Sequence, residues 1–293
     1  MTTTVSDAPV PAVTDRRFGG IARLYGVEGL QRFREAHVCV VGIGGVGSWA
    51  VEALARSAVG TLTLIDLDNV AESNVNRQIH ALDGAFGKAK VEAMAERIGA
   101  INPSCRVIQV EDFVTLDNVA ELIRRDFDWV LDCMDAFRIK AALAADCRRH
   151  KIKLVTVGAA GGMTDPTRIK VLDLSRTAQD PLLARTRKQL RDRHGFPTNP
   201  QRRFSIPAVF SDEHSLFPSA DGGVCQQRDP GASASGLNCA GGIGSVMTVT
   251  ASFGLVAVSL VLNRLAGRLP KGYAKSPHAR EEGDAEPGPG ADA

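Results

Sequence analysis

The stretch from Val38 to Asp68, VCVVGIGGVGSWAVEALARSAVGTLTLIDLD, constrains this chain more than any other. Val38 to Val41 is a short apolar run of the kind that forms a strand buried on both faces of a parallel sheet. Gly42, Gly44 and Gly47 follow at GxGxxG spacing, and Val46 to Arg56 has the pattern of a helix. A second apolar strand, Thr61 to Ile65, leads into Asp66, 19 residues after Gly47. Glycines let the chain turn tightly and let a phosphate approach the backbone. The helix N-terminus supplies unpaired N–H groups, and the acid after the second strand accepts from ribose hydroxyls. The unit predicts nucleotide binding without saying which nucleotide.

Downstream, the spacing predicts strands over Arg106–Val110, Phe127–Leu131 and Leu154–Val157. Helices are expected from near Ala85 to Asn102, over Leu116–Arg124 and over Asp135–His150. In the first of these Val91, Met94, Ala95 and Ile98 form the apolar face, and in the last Ile139, Leu143 and Cys147 point inward. Strands alternating with helices at these intervals predict an α/β fold, Rossmann-like and doubly wound, with a mostly parallel sheet. Upstream, Arg16–Ala36 reads as one or two helices. Beyond Gly158 the pattern changes to an antiparallel strand at Arg168–Leu172, a basic helix at Pro181–His194 and a strand at Gln201–Phe210. A Gly/Ser/Asp-rich loop covers Pro218–Gly236. The expected organisation is a polar arm over 1–15, one domain over 16–266 and a Pro/Gly/Glu-rich tail over 267–293. The domain divides into a nucleotide-binding half (36–157) and a substrate-side half (158–266).

Leu237–Asn263 contains no charged residue and is long enough to span a bilayer with some tilt. Gly254 and several Ser and Thr interrupt it, so a buried core helix is the expectation, with membrane association as the alternative. A net charge of +2 does not announce a nucleic-acid binder, so such a role must rest on a local patch. The six cysteines are scattered with no CxxC pair, which argues against a four-cysteine zinc site. Met1–Arg17 lacks the apolar core of a secretory leader, and a reducing cytoplasm is expected.

Two users of this fold compete, nicotinamide oxidoreductases and enzymes that transfer the adenylyl group of ATP. A triphosphate attacked at its α-phosphorus needs cations on its oxygens and a carboxylate for magnesium. Arg77, Gln78 and Lys90 offer a fork, an amide and a point charge, and Asp135 in LDCMD lies at the same sheet edge, which favours ATP.

At these residues the sequence resembles the adenylating enzymes related to ubiquitin activation, the ThiF, MoeB and HesA group. The matching features are GIGGVGS, the DLDNV…SNVNRQ block, GKAKVE and VLDCMD. The resemblance implies that ATP is held by Gly42, Gly44, Gly45, Gly47, Asp66, Asp68, Asn74, Arg77, Gln78 and Lys90. It also implies that Asp135 binds Mg2+ with the nucleotide. Further segments (RFGGIARLYG, NRQIHAL, INPSCRV, DPTRI, TAQDPL and NCAGGIGSVMTVTASFG) are similar to the tRNA-modifying dehydratase branch of that family, over roughly Arg17 to Ala266. The activity implied is ATP-dependent cyclisation of threonylcarbamoyladenosine beside the anticodon, through adenylylation of its carboxylate. A homodimer, a monovalent cation and a sulfur-transfer (cysteine desulfurase) partner come with it.

Two departures matter. The zinc-binding cysteine pairs of sulfur-carrier-activating members are absent, in accord with the dehydratase branch. Arg17 matches the first arginine of their front motif while Gly20 stands where the second would be, with Arg23 as a substitute. Activation of a ubiquitin-like sulfur carrier stays as the alternative function. A non-catalytic nucleotide-binding adaptor is a third reading, opposed by Arg77, Lys90 and Asp135. Cys239 is a candidate nucleophile or sulfur acceptor, with an ordinary structural cysteine as the alternative. Arg185, Arg187, Lys188, Arg191, Arg193, Arg202 and Arg203 form a basic segment outside the nucleotide motif, a candidate for tRNA phosphates.

Overall fold

In the computed structural model, residues 16–219, 221–226 and 243–268 are described. Two short helices, α1 (Gly19–Tyr25) and α2 (Val27–Glu35), lead into β1 (His37–Val41). Then come α3 (Gly47–Arg56), β2 (Thr61–Ile65), α4 (Lys90–Ile101), β3 (Arg106–Val110), a single turn α5 (Val119–Leu122) and β4 (Trp129–Asp132). The chain continues through α6 (Phe137–His150), β5 (Lys153–Val157), β6 (Ile169–Asp173), α7 (Pro181–His194) and β7 (Pro207–Ser211). A small hairpin, β8 (Phe217–Pro218) with β9 (Val224–Cys225), precedes α8 (Met247–Leu265).

One seven-stranded sheet has the order β3-β2-β1-β4-β5-β7-β6. Every pairing is parallel except that of β6 with β7. Alternation within the strands divides the core. Val38, Val40, Leu62, Leu64 and Leu131 face α3, α4 and α8, where they meet Leu54, Met94, Ile98, Phe253 and Val261. Cys39, Val41 and Val130 face the opposite layer, among Leu143 and Cys147 of α6 and Leu183 and Leu190 of α7. Both faces of the central strands are therefore dry, which is why they read as continuous apolar runs.

The sheet confirms the doubly wound prediction and corrects several boundaries. α4 starts at Lys90 rather than near Ala85, because residues 69–89 are held as a loop by an isolated bridge between Asn69 and Ala89. Ala93 rather than Ala95 shares its buried face with Val91, Met94 and Ile98. The helix expected over Leu116–Arg124 shrinks to one turn. Asn118 holds the turn before it: its Oδ1 accepts from Thr115 N (2.7 Å) and its Nδ2 donates to the Phe113 carbonyl (2.9 Å). The strand expected from Gln201 begins only at Pro207, and the loop predicted from Pro218 contains the β8–β9 hairpin. α8 is long and apolar enough to cross a membrane, yet here it packs on α3 and β5 with Val249, Phe253, Ala257 and Val261 buried. Residues 237–242, and Cys239 with them, lie outside the described residues, as do 1–15 and most of the proposed tail.

Candidate active site

The strand order reverses between β1 and β4, since the chain runs outward through β2 and β3 on one side and through β5 on the other. Loops leaving such a switch point separate and open a crevice. Here the loop after β1 and the loop after β4 touch at their base. Gly42 adopts φ +85°, and a β-carbon on it would lie 3.1 Å from the Cys133 carbonyl. A β-carbon on Gly47, at the start of α3, would lie 1.8 Å from the Gly42 carbonyl oxygen. Larger side chains at either position would push the loop out of register.

Above these loops is a cavity of about 420 Å³. Eight of the predicted ATP and magnesium residues line it: Gly42, Gly44, Asp66, Asp68, Arg77, Gln78, Lys90 and Asp135. Asp112 and Phe113, just past β3, complete its far wall and were missed in the sequence because no periodic pattern marks a loop residue. Asp66 sits at the tip of β2 and fastens the glycine loop, Oδ2 accepting from Ile43 N at 2.6 Å and Oδ1 from Asp68 N at 2.9 Å. Burial pushes its carboxyl pKa up, opposed by Lys90 and by those backbone donors. Lys90, the first residue of α4, places Nζ 2.6 Å from Asp68 Oδ2 and 3.9 Å from Asp66 Oδ1. Its side chain is 7% exposed whereas that of Asp68 is 55% exposed, so the cation is fixed and the outer acid is presented to solvent.

Residues 72–78 carry the remaining polar groups. Arg77 is braced by the carbonyl of Ser73 (2.8 Å) and by Asn76 Oδ1 (2.9 Å), while Trp49 Nε1 donates to its carbonyl (2.9 Å). Gln78 is buried, and its Oε1 has no hydrogen-bond partner among the described residues. A buried amide acceptor beside a cavity is the kind of group a nucleotide donor satisfies. Asn74 stands apart from the other predicted ligands. It does not line the cavity, and its Oδ1 accepts from Ala71 N at 3.1 Å. Asparagine serves here as a turn clamp, with its carbonyl accepting from Arg77 N and Gln78 N. Gly45 also lies behind the wall, where a β-carbon would come 3.2 Å from Arg77 Cγ.

Asp135 is at the open rim, exposed and, among the described residues, without an ion pair or hydrogen bond. A free carboxylate beside a phosphate-sized space suits Mg2+, which takes one or two carboxylates and completes its shell with water and phosphate. No cluster of three or more His, Cys, Asp or Glu suited to a metal ion occurs among the described residues. The donor set thus fits a magnesium brought in with a nucleotide and offers no resident cage.

Beneath Asp135 is a buried network that the sequence reading overlooked. Lys140 Nζ is 2.9 Å from Asp132 Oδ2, and it donates to the carbonyls of Asp132 (3.2 Å) and Met134 (2.9 Å). Thr156 of β5 donates to Asp132 Oδ2 at 2.7 Å. Asp180 caps α7 through Leu183 N (2.8 Å) and accepts from Ala159 N just beyond β5 (2.9 Å). Burial pushes the Asp180 carboxyl pKa up. The missed signal was a lysine at helical spacing with Leu143 and Cys147, on the inward face of α6.

The basic segment of α7 divides in the structure. Arg187 is half-buried and bonded to Thr177 Oγ1, and its guanidinium pKa is lowered by burial. Arg191 donates to the Pro197 carbonyl (3.3 Å) and lies over the Phe204 ring. Lys188 is paired with Asp192. Arg185, Arg193, Arg202 and Arg203 are exposed. At the front of the chain, Arg17 donates to the Ile101 carbonyl (2.9 Å) at the end of α4.

The tRNA threonylcarbamoyladenosine dehydratase of Escherichia coli (strain K12) is 52% identical over 253 residues, covering 86% of this chain and 94% of that protein. The enzyme of the same name from Bacillus subtilis (strain 168) is 40% identical over 196 residues, 67% of this chain and 74% of that protein. Among solved structures, the Escherichia coli tRNA N6-threonylcarbamoyladenosine dehydratase in complex with ATP superposes with a TM-score of 0.77 at 48% identity, covering 89% of this chain and 98% of that one. The ThiF family matches residues 18–281. With a family match over most of its length and a switch-point crevice lined by the residues that family motif predicts, this chain belongs to the ThiF family.

Proposed function

We propose that the chain is an ATP-dependent dehydratase that cyclises threonylcarbamoyladenosine in tRNA. The observation that carries this reading is the convergence of Arg77, Lys90 and Asp135 on one crevice, in a chain half identical to named tRNA dehydratases over nearly their full length.

A carboxylate is a poor electrophile because its leaving group would be oxide. In the proposed reaction the carboxylate of the modified nucleoside attacks the α-phosphorus of ATP. A new P–O bond forms and pyrophosphate leaves. The carbamoyl group then attacks the activated carbonyl, AMP leaves with the former carboxylate oxygen, and a proton is lost. The ring therefore closes with net loss of one water from the nucleoside. Gly42 and Gly44 let the phosphates approach the backbone, and Asp68 is the exposed acceptor for ribose. Lys90 and Arg77 offset charge that builds on the non-bridging oxygens as pyrophosphate departs. Asp135 would hold Mg2+, which supplies further neutralisation of the phosphates. Asp66 and Asn74 act through the loops they fasten. We further propose that the enzyme works in the cytoplasm as a homodimer.

The test is exchange of labelled pyrophosphate into ATP. Exchange that requires tRNA carrying the modified adenosine is the expected result. Exchange that instead requires a ubiquitin-like carrier protein would replace this reading with sulfur-carrier activation.

A further inference from the structure

Phe137 opens α6 immediately after Ala136, a wall residue of the nucleotide cavity. Two guanidinium groups lie against its ring, that of Arg138 at 5.7 Å from the centroid and that of Arg185 of α7 at 6.0 Å. Both arginines are exposed, and among the described residues neither makes a salt bridge or hydrogen bond. Two exposed cations on one ring, neither held in an ion pair among the described residues, favour an anion between or across them.

The two helices extend this charge. α6 and α7 pack side by side, and both begin at the carboxyl edge of the sheet, since Asp180 caps α7 while accepting from Ala159 N beyond β5. At the far end Arg149 of α6 is close enough to His194 of α7 to lower its pKa, a smaller cause there than burial. Arg148 sits 4.4 Å over the ring of Phe196, just past α7. From Arg138 to Arg149 is roughly 16 Å along the helix at 1.5 Å per residue. Cations at the rim of the ATP cavity and at the far end of the α6–α7 pair thus mark the two ends of a strip, with no exposed cation of α6 between Arg138 and Arg148.

We propose that this strip is the contact for the single-stranded anticodon loop of tRNA, with Arg138 and Arg185 on the phosphates flanking the modified adenosine. It rests on the tRNA reading above. The nucleoside must leave its stack and enter the cavity past Asp135 and Ala136, so its flanking phosphates come to the residues that adjoin that rim. Single-stranded loops are held by backbone charge with arginine and aromatic side chains, the groups assembled here. The site differs from the sequence prediction, which looked to α7 and to Arg202 and Arg203 beyond it. Arg187, Lys188 and Arg191 are engaged within the protein, while α6 supplies the partner cation that the sequence did not bring to notice.

The experiment compares the full-length protein with the double variant Arg138→Ala/Arg185→Ala, using Arg138→Lys/Arg185→Lys as the charge-retaining control. Binding of unmodified and modified tRNA is measured without ATP across a salt series, ATP binding is measured separately, and turnover is measured with modified tRNA. The expected result for the double alanine variant is tRNA affinity reduced at least about tenfold and a salt slope shallower by about 1.4, two single-strand phosphate contacts at about 0.7 each. ATP affinity should be unchanged, turnover at sub-saturating tRNA should fall in step with tRNA affinity, and lysine should restore most of the affinity. Unchanged tRNA affinity and slope would overturn the proposal. So would equally tight, arginine-dependent binding of polyglutamate, which would assign the strip to an acidic protein. Because binding is read without turnover, a wild-type enzyme that binds tRNA but leaves its nucleoside intact sinks the reaction proposed above and not this contact.

Discussion

Lys140 Nζ and Asp132 Oδ2 are 2.9 Å apart, with side chains 0% and 1% exposed. The pair does more than cancel charge, because Lys140 also donates to the carbonyl of Met134, next to Asp135. It ties the first turn of α6 to the loop that forms the cavity rim. Removing one partner leaves an uncompensated charge in a dry core, which costs about 3–5 kcal/mol. Lys140→Met should therefore lower the midpoint of thermal unfolding by roughly 6–20 °C. The double variant Asp132→Asn/Lys140→Met should recover part of that loss. A double variant less stable than the single would contradict the pairing.

Lys90 and Asp135 are assigned to chemistry; substitution of exposed Asp135 should separate activity from folding, whereas loss of Lys90, buried beside Asp66, also destabilises the fold. Lys90→Ala should reduce kcat by about 100-fold or more, the scale of losing one donor to developing charge. Asp135→Asn should raise the Mg2+ concentration needed for half-maximal activity, with the unfolding midpoint close to that of the parent. Steady-state turnover against a magnesium titration, paired with thermal melts, checks both.

Gly47 has no room for a β-carbon, which would stand 1.8 Å from the Gly42 carbonyl oxygen. Gly47→Ala should cost about 3 kcal/mol through displacement of the loop and should weaken ATP binding, as read by denaturant unfolding and calorimetric titration. Gly44→Ala is the contrast, since the nearest atom to its β-carbon is Gln78 Nε2 at 3.9 Å. It should fold normally.

His80 is buried beside the site with neither ring nitrogen hydrogen-bonded among the described residues. Burial first, then Lys90 and Arg97, lowers its pKa from 6.5 to about 4. The unfolded chain therefore binds a proton that the folded chain refuses. This contribution to stability is fully present above pH 6.5, is lost as pH falls from 6.5 towards 4, and levels off below that. The loss amounts to roughly 3 kcal/mol at most. Buried Asp66 and Asp180, with raised pKa values, oppose it at the acid end. Urea unfolding of wild type and His80→Leu at pH 7.5 and pH 5 isolates the effect: the variant should gain on the wild type at pH 5, and equal losses in both proteins would contradict it.

The central sheet was legible because parallel strands covered on both faces are apolar at nearly every position, as in Val38–Val41 and, Thr63 apart, Leu62–Ile65. The glycine loop was legible because steric exclusion at Gly42 and Gly47 leaves no other residue. Less legible were elements whose ends are fixed by long-range contacts. Nothing near Ala85 announces that a bridge from Asn69 to Ala89 delays α4 to Lys90. Asn74 has the composition of a ligand, but its bond to Ala71 N makes it a clamp. The pairing of Lys140 with Asp132 and the approach of Arg185 to the Phe137 ring join residues on different elements, which periodicity alone does not relate.

The most direct measurement is mass spectrometry of nucleosides from tRNA bearing threonylcarbamoyladenosine, after incubation with the protein, ATP and Mg2+. The expected result is that the modified adenosine loses the mass of one water, with one AMP released per ring closed, and that Lys90→Ala slows the change by about 100-fold or more. An unaltered nucleoside in the presence of folded, ATP-binding protein would contradict it.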